Sequence, residues 1–222
     1  MKQTMLAWGG MARGVSGLGP GRRSVIWVAG CSLRCAGCMT PELLPQRAAD
    51  MPVERAVELL LSDSDWDGRL TISGGEPFEQ AGALVELVRK LRQARECEIL
   101  VYSGRRIEEL RRWGPDAAAL LSEIDMLIDG PFEWTASNRR VWRGSDNQRF
   151  HALSDRGLRH RGAAEADWSE RRPLSIQWVE GLGLRVIGIP RRAFFGRIRE
   201  VLAARSLDVY DARTLPAKEG GK

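Results

Sequence analysis

Two periodicities alternate along the first 130 residues of the chain. Val53, Val57, Leu60 and Leu61 fall on one helical face, and so do Leu84, Leu87, Val88 and Leu91, each set following the i, i+3 or i+4, i+7 spacing of a helix with one buried side. Apolar runs at residues 25–29, 70–73, 98–102 and 124–128 predict strands between them, and a weaker helical stretch spans 107–121. Strands alternating with helices predict the α/β class, with a parallel sheet built from right-handed crossovers. In such sheets ligands sit beyond the carboxyl ends of the strands.

The pattern changes after about residue 152. Residues 154–172 are charged and without clear periodicity, and read as a linker. Two apolar segments flanking Gly181-Leu-Gly183 predict a hairpin over about 174–189. Phe194, Ile198, Val201 and Leu202 then repeat on one face and predict a helix over about 192–205, followed by a flexible end. The expected organisation is therefore a main unit over 1–152 and a linker with a C-terminal extension over 153–222. A hairpin and one helix are too small to make a core alone, so the extension is expected to dock on the main unit or on a partner.

Directly after the first strand stand three thiols in eight residues, Cys31-Ser-Leu-Arg-Cys35-Ala-Gly-Cys38. A [4Fe-4S] cube has four irons and takes cysteine thiolates as terminal ligands, so three of them leave one iron open to a substrate. Zinc is the competing reading, because cysteine-rich loops also build tetrahedral sites. It lacks an obvious fourth donor: His151 and His160 are far along the chain, and Cys97 lies at the edge of another strand, where a small buried residue is the plain expectation. A disulfide is the third alternative.

A second motif, Gly74-Gly75-Glu76-Pro77, follows the strand at 70–73. Adjacent glycines let a ligand approach the main chain, although such a segment taken alone is commonly just a turn. With both motifs in place the chain resembles the radical S-adenosylmethionine family, over about its first 150 residues. That resemblance implies that Cys31, Cys35 and Cys38 hold a [4Fe-4S] cluster. It also implies that Gly74, Gly75 and Glu76 position S-adenosylmethionine, whose ammonium suits a carboxylate and exposed carbonyls. Gly37 and Met39 are expected beside the adenine, and Ser103 and Asp129 near the ribose or ammonium, with loop-capping hydrogen bonds as the alternative for the last two.

Further segments occur in order: Gly19-Pro20-Gly21-Arg22-Arg23, Ser73 through Glu79, Val101-Tyr-Ser-Gly104, Asp125 through Gly130, and Trp142-Arg-Gly-Ser-Asp-Asn-Gln-Arg149. Together they narrow the resemblance to the glycyl-radical activases, of the kind that serves anaerobic ribonucleotide reductase. The implied fold is a partial (β/α) barrel, because residues 24–130 are too few for the roughly 200 or more that a closed eightfold barrel takes. The implied reaction is reductive cleavage of S-adenosylmethionine to a 5′-deoxyadenosyl radical that removes hydrogen from a glycine of a partner enzyme, with the protein supplying orientation and shielding. Two alternatives stay open: a radical enzyme acting on a small molecule or peptide, similar to 7-carboxy-7-deazaguanine synthase, and a noncatalytic iron–sulfur electron-transfer module. Met39-Thr40 departs from the aromatic or histidine followed by asparagine common after the last cysteine of reductase activases, and 142–149 reads as a polar loop capping the sheet edge.

Composition changes this picture little. Of 34 basic residues only four are lysines, and the formal charge is +5. The arginines are scattered and without an aromatic-basic motif, so no specific nucleic acid is expected, while an acidic electron donor, flavodoxin or ferredoxin, suits a basic surface. The longest apolar runs fall far short of a membrane span. Residues 1–23 carry no apolar signal core, so the expected compartment is the cytoplasm, where thiols stay reduced.

Overall fold

The computed structural model describes residues 3–46, 48–169, 172–179, 183–191 and 193–205. In chain order the elements are β1 (Met5–Leu6), β2 (Trp8–Val15), β3 (Arg23–Val28), β4 (Met51–Pro52), α1 (Val53–Leu61), β5 (Arg69–Gly74), α2 (Ala81–Ala94), β6 (Glu98–Ser103), α3 (Ile107–Leu110), α4 (Pro115–Glu123), β7 (Met126–Asp129), β8 (Arg149–Ala152), α5 (Asp155–Leu158), α6 (Arg161–Ala164), β9 (Leu174–Val179), β10 (Gly183–Gly188) and α7 (Phe194–Ala203). Six strands form one sheet in the order β2-β3-β5-β6-β7-β8. Its four central strands are parallel, and β2 and β8 close its two edges antiparallel. The expected α/β class with a parallel-rich sheet is what the chain forms.

Side-chain alternation along the sheet assigns its faces. Ile26, Val28, Leu70, Ile72, Ile99, Val101 and Leu127 share one buried core with the apolar sides of α1, α2 and α4. Val25, Trp27, Leu100, Met126 and Ile128 point the other way, into two smaller clusters. The three crossover helices therefore lie on the same face, and the strands read as nearly continuous apolar runs because both of their faces are buried.

On the second face Arg23, fully buried, fills the amino-terminal end of the sheet. It donates to Thr71 Oγ1, Pro20 O, Leu70 O, Glu98 O and Glu98 Oε1, at 2.8–3.1 Å. Burial lowers its pKa, and the hydrogen-bonded carboxylate of Glu98 opposes that shift.

Sequence expectation and structure part company in four places. The glycine-rich stretch before residue 23 contains β2, an edge strand with two register irregularities; a Cβ at Gly9 would stand 2.8 Å from Trp27 O, so the residue that hides the strand pattern is the one its packing needs. The helical stretch at 107–121 is two helices, broken at Gly114 (φ +124°) and restarted by Pro115. Within the stretch expected as a linker, α5 and α6 form and pack against β8, and Ala164 is buried. The segment after residue 142 ends in β8, which pairs with β7.

The hairpin of the extension forms as β9 and β10, with Leu174 opposite Gly188 and Val179 opposite Gly183; part of its expected turn and the expected flexible end lie outside the described residues. It docks on the main unit through Ile187, buried with Val15, Val25 and Trp27, and through the Ser175 hydroxyl, which accepts Ser16 N at 2.9 Å. No helix among the described residues is long and apolar enough to cross a membrane.

Candidate functional site

The carboxyl ends of β3, β5, β6 and β7 carry loops that meet at one end of the sheet. The first holds the cysteines. Gly30 N donates to Leu43 O and Cys31 N to Leu44 O, which brings the end of the loop back to its start. Arg34 (φ +47°) and Gly37 (φ +71°) turn the chain through left-handed conformations, and Cys38 N reaches Cys35 O at 3.1 Å. Cys31 is buried, Cys35 and Cys38 half-buried, and all four cysteines of the chain are free thiols. Burial pushes the Cys31 and Cys38 thiols up, with the Glu76 and Glu79 charges adding to the effect at Cys31. Metal binding as thiolates therefore displaces protons. Cys97 is buried just before β6, at the end of that strand opposite the cysteine loop, its thiol pushed up to about 11 by burial and donating to Arg95 O.

The donor set fits an iron–sulfur cube better than zinc. Among the described residues no three His, Cys, Asp or Glu side chains lie close enough to hold one ion. A cube takes each thiolate on a different iron, whereas zinc needs four donors around a single point.

The second loop packs backbone to backbone against the first. Gly75 N donates to Val28 O at 2.7 Å and Glu76 N to Gly30 O at 2.8 Å. A Cβ on Gly74 would lie 2.3 Å from Val28 O, and one on Gly75 2.0 Å from Gly30 O. The glycine pair is thus required for the main chain of this loop to lie against the strand that delivers Cys31. Thr40, two residues past the last cysteine, spans the same gap: its hydroxyl is 3.9 Å from Cys38 Sγ and donates to Gly74 O at 3.4 Å.

Glu76 has no solvent exposure. Its Oε1 accepts Phe78 N and the Ser103 hydroxyl, at 3.1 and 2.9 Å, and its Oε2 accepts Gly104 N at 2.9 Å. Burial raises its pKa to about 7, against the pull of those three donors. Glu76 therefore ties the second loop to the third, and Ser103 is engaged there and with Arg105 N. Gly104 abuts Leu33 of the cysteine loop, where a Cβ would meet Leu33 Cδ1 at 2.4 Å.

Glu79 makes the corresponding tie to the cysteine loop itself. It accepts the main-chain N and the hydroxyl of Ser32, the residue after Cys31, and the Gln46 amide. Burial raises its pKa, but the Ser32 and Gln46 hydrogen bonds and the charge of Arg105 outweigh this and hold the carboxyl below its usual range. Arg105 completes the group by donating to the Ser32 hydroxyl at 3.0 Å and stacking over Trp113 at 4.2 Å.

Asp129 closes β7. Its buried carboxylate accepts Ile107 N at 2.7 Å and Arg149 Nε and Nη2 at 3.0 and 2.6 Å, with His151 Nε2 3.1 Å away. Burial opposes ionisation, yet His151, Arg149 and the Ile107 amide together hold the carboxyl well below its usual range. Ser103 and Asp129 thus both face donors and acceptors of this chain.

The polar segment 142–149 does more than cap an edge. Gln148 Nε2 donates to Gly130 O, Asn147 Nδ2 to Pro131 O, and the Ser145 hydroxyl accepts Glu133 N, at 2.9–3.1 Å. These bonds hold the fourth loop, which sets Trp134 against Gly37: a Cβ there would stand 3.0 Å from Trp134 Cβ. Trp134 and Met39 are both more than a third exposed beside the cysteine loop.

Sequence reasoning brought together Cys31, Cys35, Cys38, Gly74, Gly75 and Glu76. It assigns no role to Glu79, Thr40 or Trp134, and reads the residues at 145–148 only as part of a loop capping the sheet edge. Glu79 stands three residues past Glu76, a spacing whose meaning appears only when the helical turn at Pro77–Gln80 points it back at Ser32.

Residues 18–151 match a family model described as a 4Fe-4S single cluster domain. Among similar proteins, the anaerobic ribonucleoside-triphosphate reductase-activating protein of Enterobacteria phage T4 is 31% identical over 150 residues, covering 64% of this chain and 91% of the phage protein. The protein of that name from Haemophilus influenzae is 34% identical over 141 residues, covering 60% of this chain and 89% of its own. The one from Vibrio cholerae is 31% identical over 147 residues, covering 61% and 91%.

Proposed function

Because the chain belongs to the 4Fe-4S family of the anaerobic ribonucleoside-triphosphate reductase-activating proteins, we propose that it is a radical S-adenosylmethionine enzyme that activates such a reductase by taking hydrogen from one of its glycines. Cys31, Cys35 and Cys38 would hold a [4Fe-4S] cluster. Bound together, the cluster and S-adenosylmethionine supply one-electron reductive cleavage and a radical able to abstract hydrogen. The observation that carries the reading is the junction of the cysteine loop with the Gly74-Gly75 main chain, at the carboxyl ends of adjacent parallel strands.

The remaining work falls to this chain's own residues. Gly74 and Gly75 present bare main chain where the cofactor's amino acid end would lie, and Glu76, inside, fixes the loop that presents it. Glu79 and Arg105 hold Ser32, and hence the start of the thiol loop, in place. Trp134 against Gly37, with Met39, would wall the adenine side and keep water from the reacting atoms. In this reading Ser103 and Asp129 position neighbouring loops, and any cofactor contact passes through the groups they hold.

Crossover helices on a single face of the sheet support a partial barrel over 1–152, open on one side for a protein loop, with 153–222 as an added unit. A reducing cytoplasm and a flavodoxin or ferredoxin donor complete the proposal. The test is anaerobic incubation of reduced holoprotein with S-adenosylmethionine and an anaerobic ribonucleotide reductase. The expected result is 5′-deoxyadenosine together with a glycine-centred radical signal, both lost in Cys35→Ala. Cofactor cleavage without that signal would reject the reductase as substrate.

A further inference from the structure

Thr40 caps the helical turn Pro41–Leu43 in position only, since its side chain makes no capping bond there. A threonine at such a place ordinarily accepts a hydrogen bond from an amide of the first turn. Here the hydroxyl turns instead into the gap between the first two loops of the site. It donates to Gly74 O at 3.4 Å and lies 3.9 Å from Cys38 Sγ.

A hydroxyl has one hydrogen to give, and two acceptors stand within its reach. While Cys38 is a neutral thiol the carbonyl is the better acceptor, and the sulfur can itself donate to the Thr40 oxygen. A thiolate reverses that order, because a hydrogen bond to an ionised acceptor is roughly twice as strong as one between neutral groups. Rotation of the hydroxyl about its C–O bond redirects the hydrogen, and no covalent bond changes. The main-chain amide of Thr40 is directed at the same sulfur, and amide and hydroxyl together oppose the burial that pushes the Cys38 thiol up. At Cys31 the amides of Leu33 and Arg34 act in that sense.

We propose that Thr40 is a positioning residue that couples the two loops: with Cys38 held as a cluster thiolate, the Thr40 hydroxyl gives its hydrogen to Cys38 Sγ and releases Gly74 O to accept the ammonium of S-adenosylmethionine. This inference rests on the function proposed above. Hydrogen bonds to ligand sulfurs are among the determinants of cluster potential; a donor there favours the reduced, more negative form, so the hydroxyl raises the potential. Gly74 O is then already free in the holoprotein, and affinity for S-adenosylmethionine does not depend on the hydroxyl.

The test compares wild type with Thr40→Val and Thr40→Ala, which lack the hydroxyl, and with Thr40→Ser, which keeps it. Each is reconstituted anaerobically to equal iron per chain, titrated electrochemically under electron paramagnetic resonance without S-adenosylmethionine, and then titrated with S-adenosylmethionine. At one applied potential the ratio of reduced to oxidised cluster is expected to fall roughly three- to tenfold in Thr40→Val and Thr40→Ala, and to return to within about twofold of wild type in Thr40→Ser. Affinity for S-adenosylmethionine should stay within about threefold across the series. An unchanged ratio in the hydroxyl-free variants, or a fall that Thr40→Ser does not repair, would overturn the proposal. So would tighter binding of S-adenosylmethionine without the hydroxyl, because the hydrogen would then have stayed on Gly74 O in the holoprotein. A wild-type cluster indifferent to S-adenosylmethionine would instead reject the function proposed above, and with it the release of Gly74 O.

Discussion

Glu76, without exposure to water, holds donors from Phe78, Ser103 and Gly104, and so joins the ends of β5 and β6 beneath the thiol loop. Its pKa rises from 4.5 to about 7 because burial penalises the charge more than those donors stabilise it. Across that window the folded protein keeps a proton that the unfolded chain has released, so the contribution of Glu76 to stability falls as pH rises through it. In Glu76→Gln the amide still accepts Phe78 N but sets its own NH₂ against Gly104 N, at a cost of about 1–3 kcal/mol, and it no longer titrates. Denaturant unfolding of both proteins should show the variant's deficit largest near pH 5 and shrinking toward pH 8. A deficit that widens with pH would show that the carboxylate is stabilised inside, contrary to this reading. The identity of Glu76 is legible in the sequence as part of Gly-Gly-Glu-Pro, but its inward orientation is not. The same residue types would serve a ligand-facing carboxylate equally well, and only the hydroxyl of Ser103, 27 residues away, reveals the difference.

At the scale of elements, the site depends on two main chains lying closer than any side chain would permit. Gly75→Ala would drive a methyl to 2.0 Å from Gly30 O, and both partners are hydrogen-bonded backbone that has little freedom to move. Thermal unfolding should report a loss of about 3 kcal/mol or more. A near-neutral variant would mean that the loop junction yields easily and does not position the thiols. The central strands and their helices were readable because strands buried on both faces, and helices buried on one, leave clean hydrophobic patterns. Edge strands leave poor ones. β2 is interrupted by Gly9, Gly10 and Gly14 and by two register irregularities, and β8 is four half-buried residues at the end of a polar segment. The break between α3 and α4 was announced by Gly114-Pro115, a signal overridden by the apolar repeat on either side of it.

For the molecule as a whole, the hairpin of the extension docks on the sheet that carries the thiol loop. Ile187 is buried with Val15 of β2 and with Val25 and Trp27 of β3, the strand that leads into the cysteine loop. Size alone sets the expectation that the extension docks on the main unit or on a partner; the side chains that make the contact are not legible in the sequence, because Ser175 and Ile187 stand in an ordinary hairpin pattern and only the fold brings them to Ser16 and Trp27. What unites the architecture is a set of loops from four strand ends that meet around three thiols, a number that in the proposed reading would leave one corner of a cube to an exogenous ligand. The most direct measurement is electron paramagnetic resonance of the anaerobically reduced holoprotein titrated with S-adenosylmethionine. This account predicts a [4Fe-4S]⁺ signal that changes form and saturates at one equivalent. A signal indifferent to S-adenosylmethionine, or a protein that holds zinc and no iron, would contradict it.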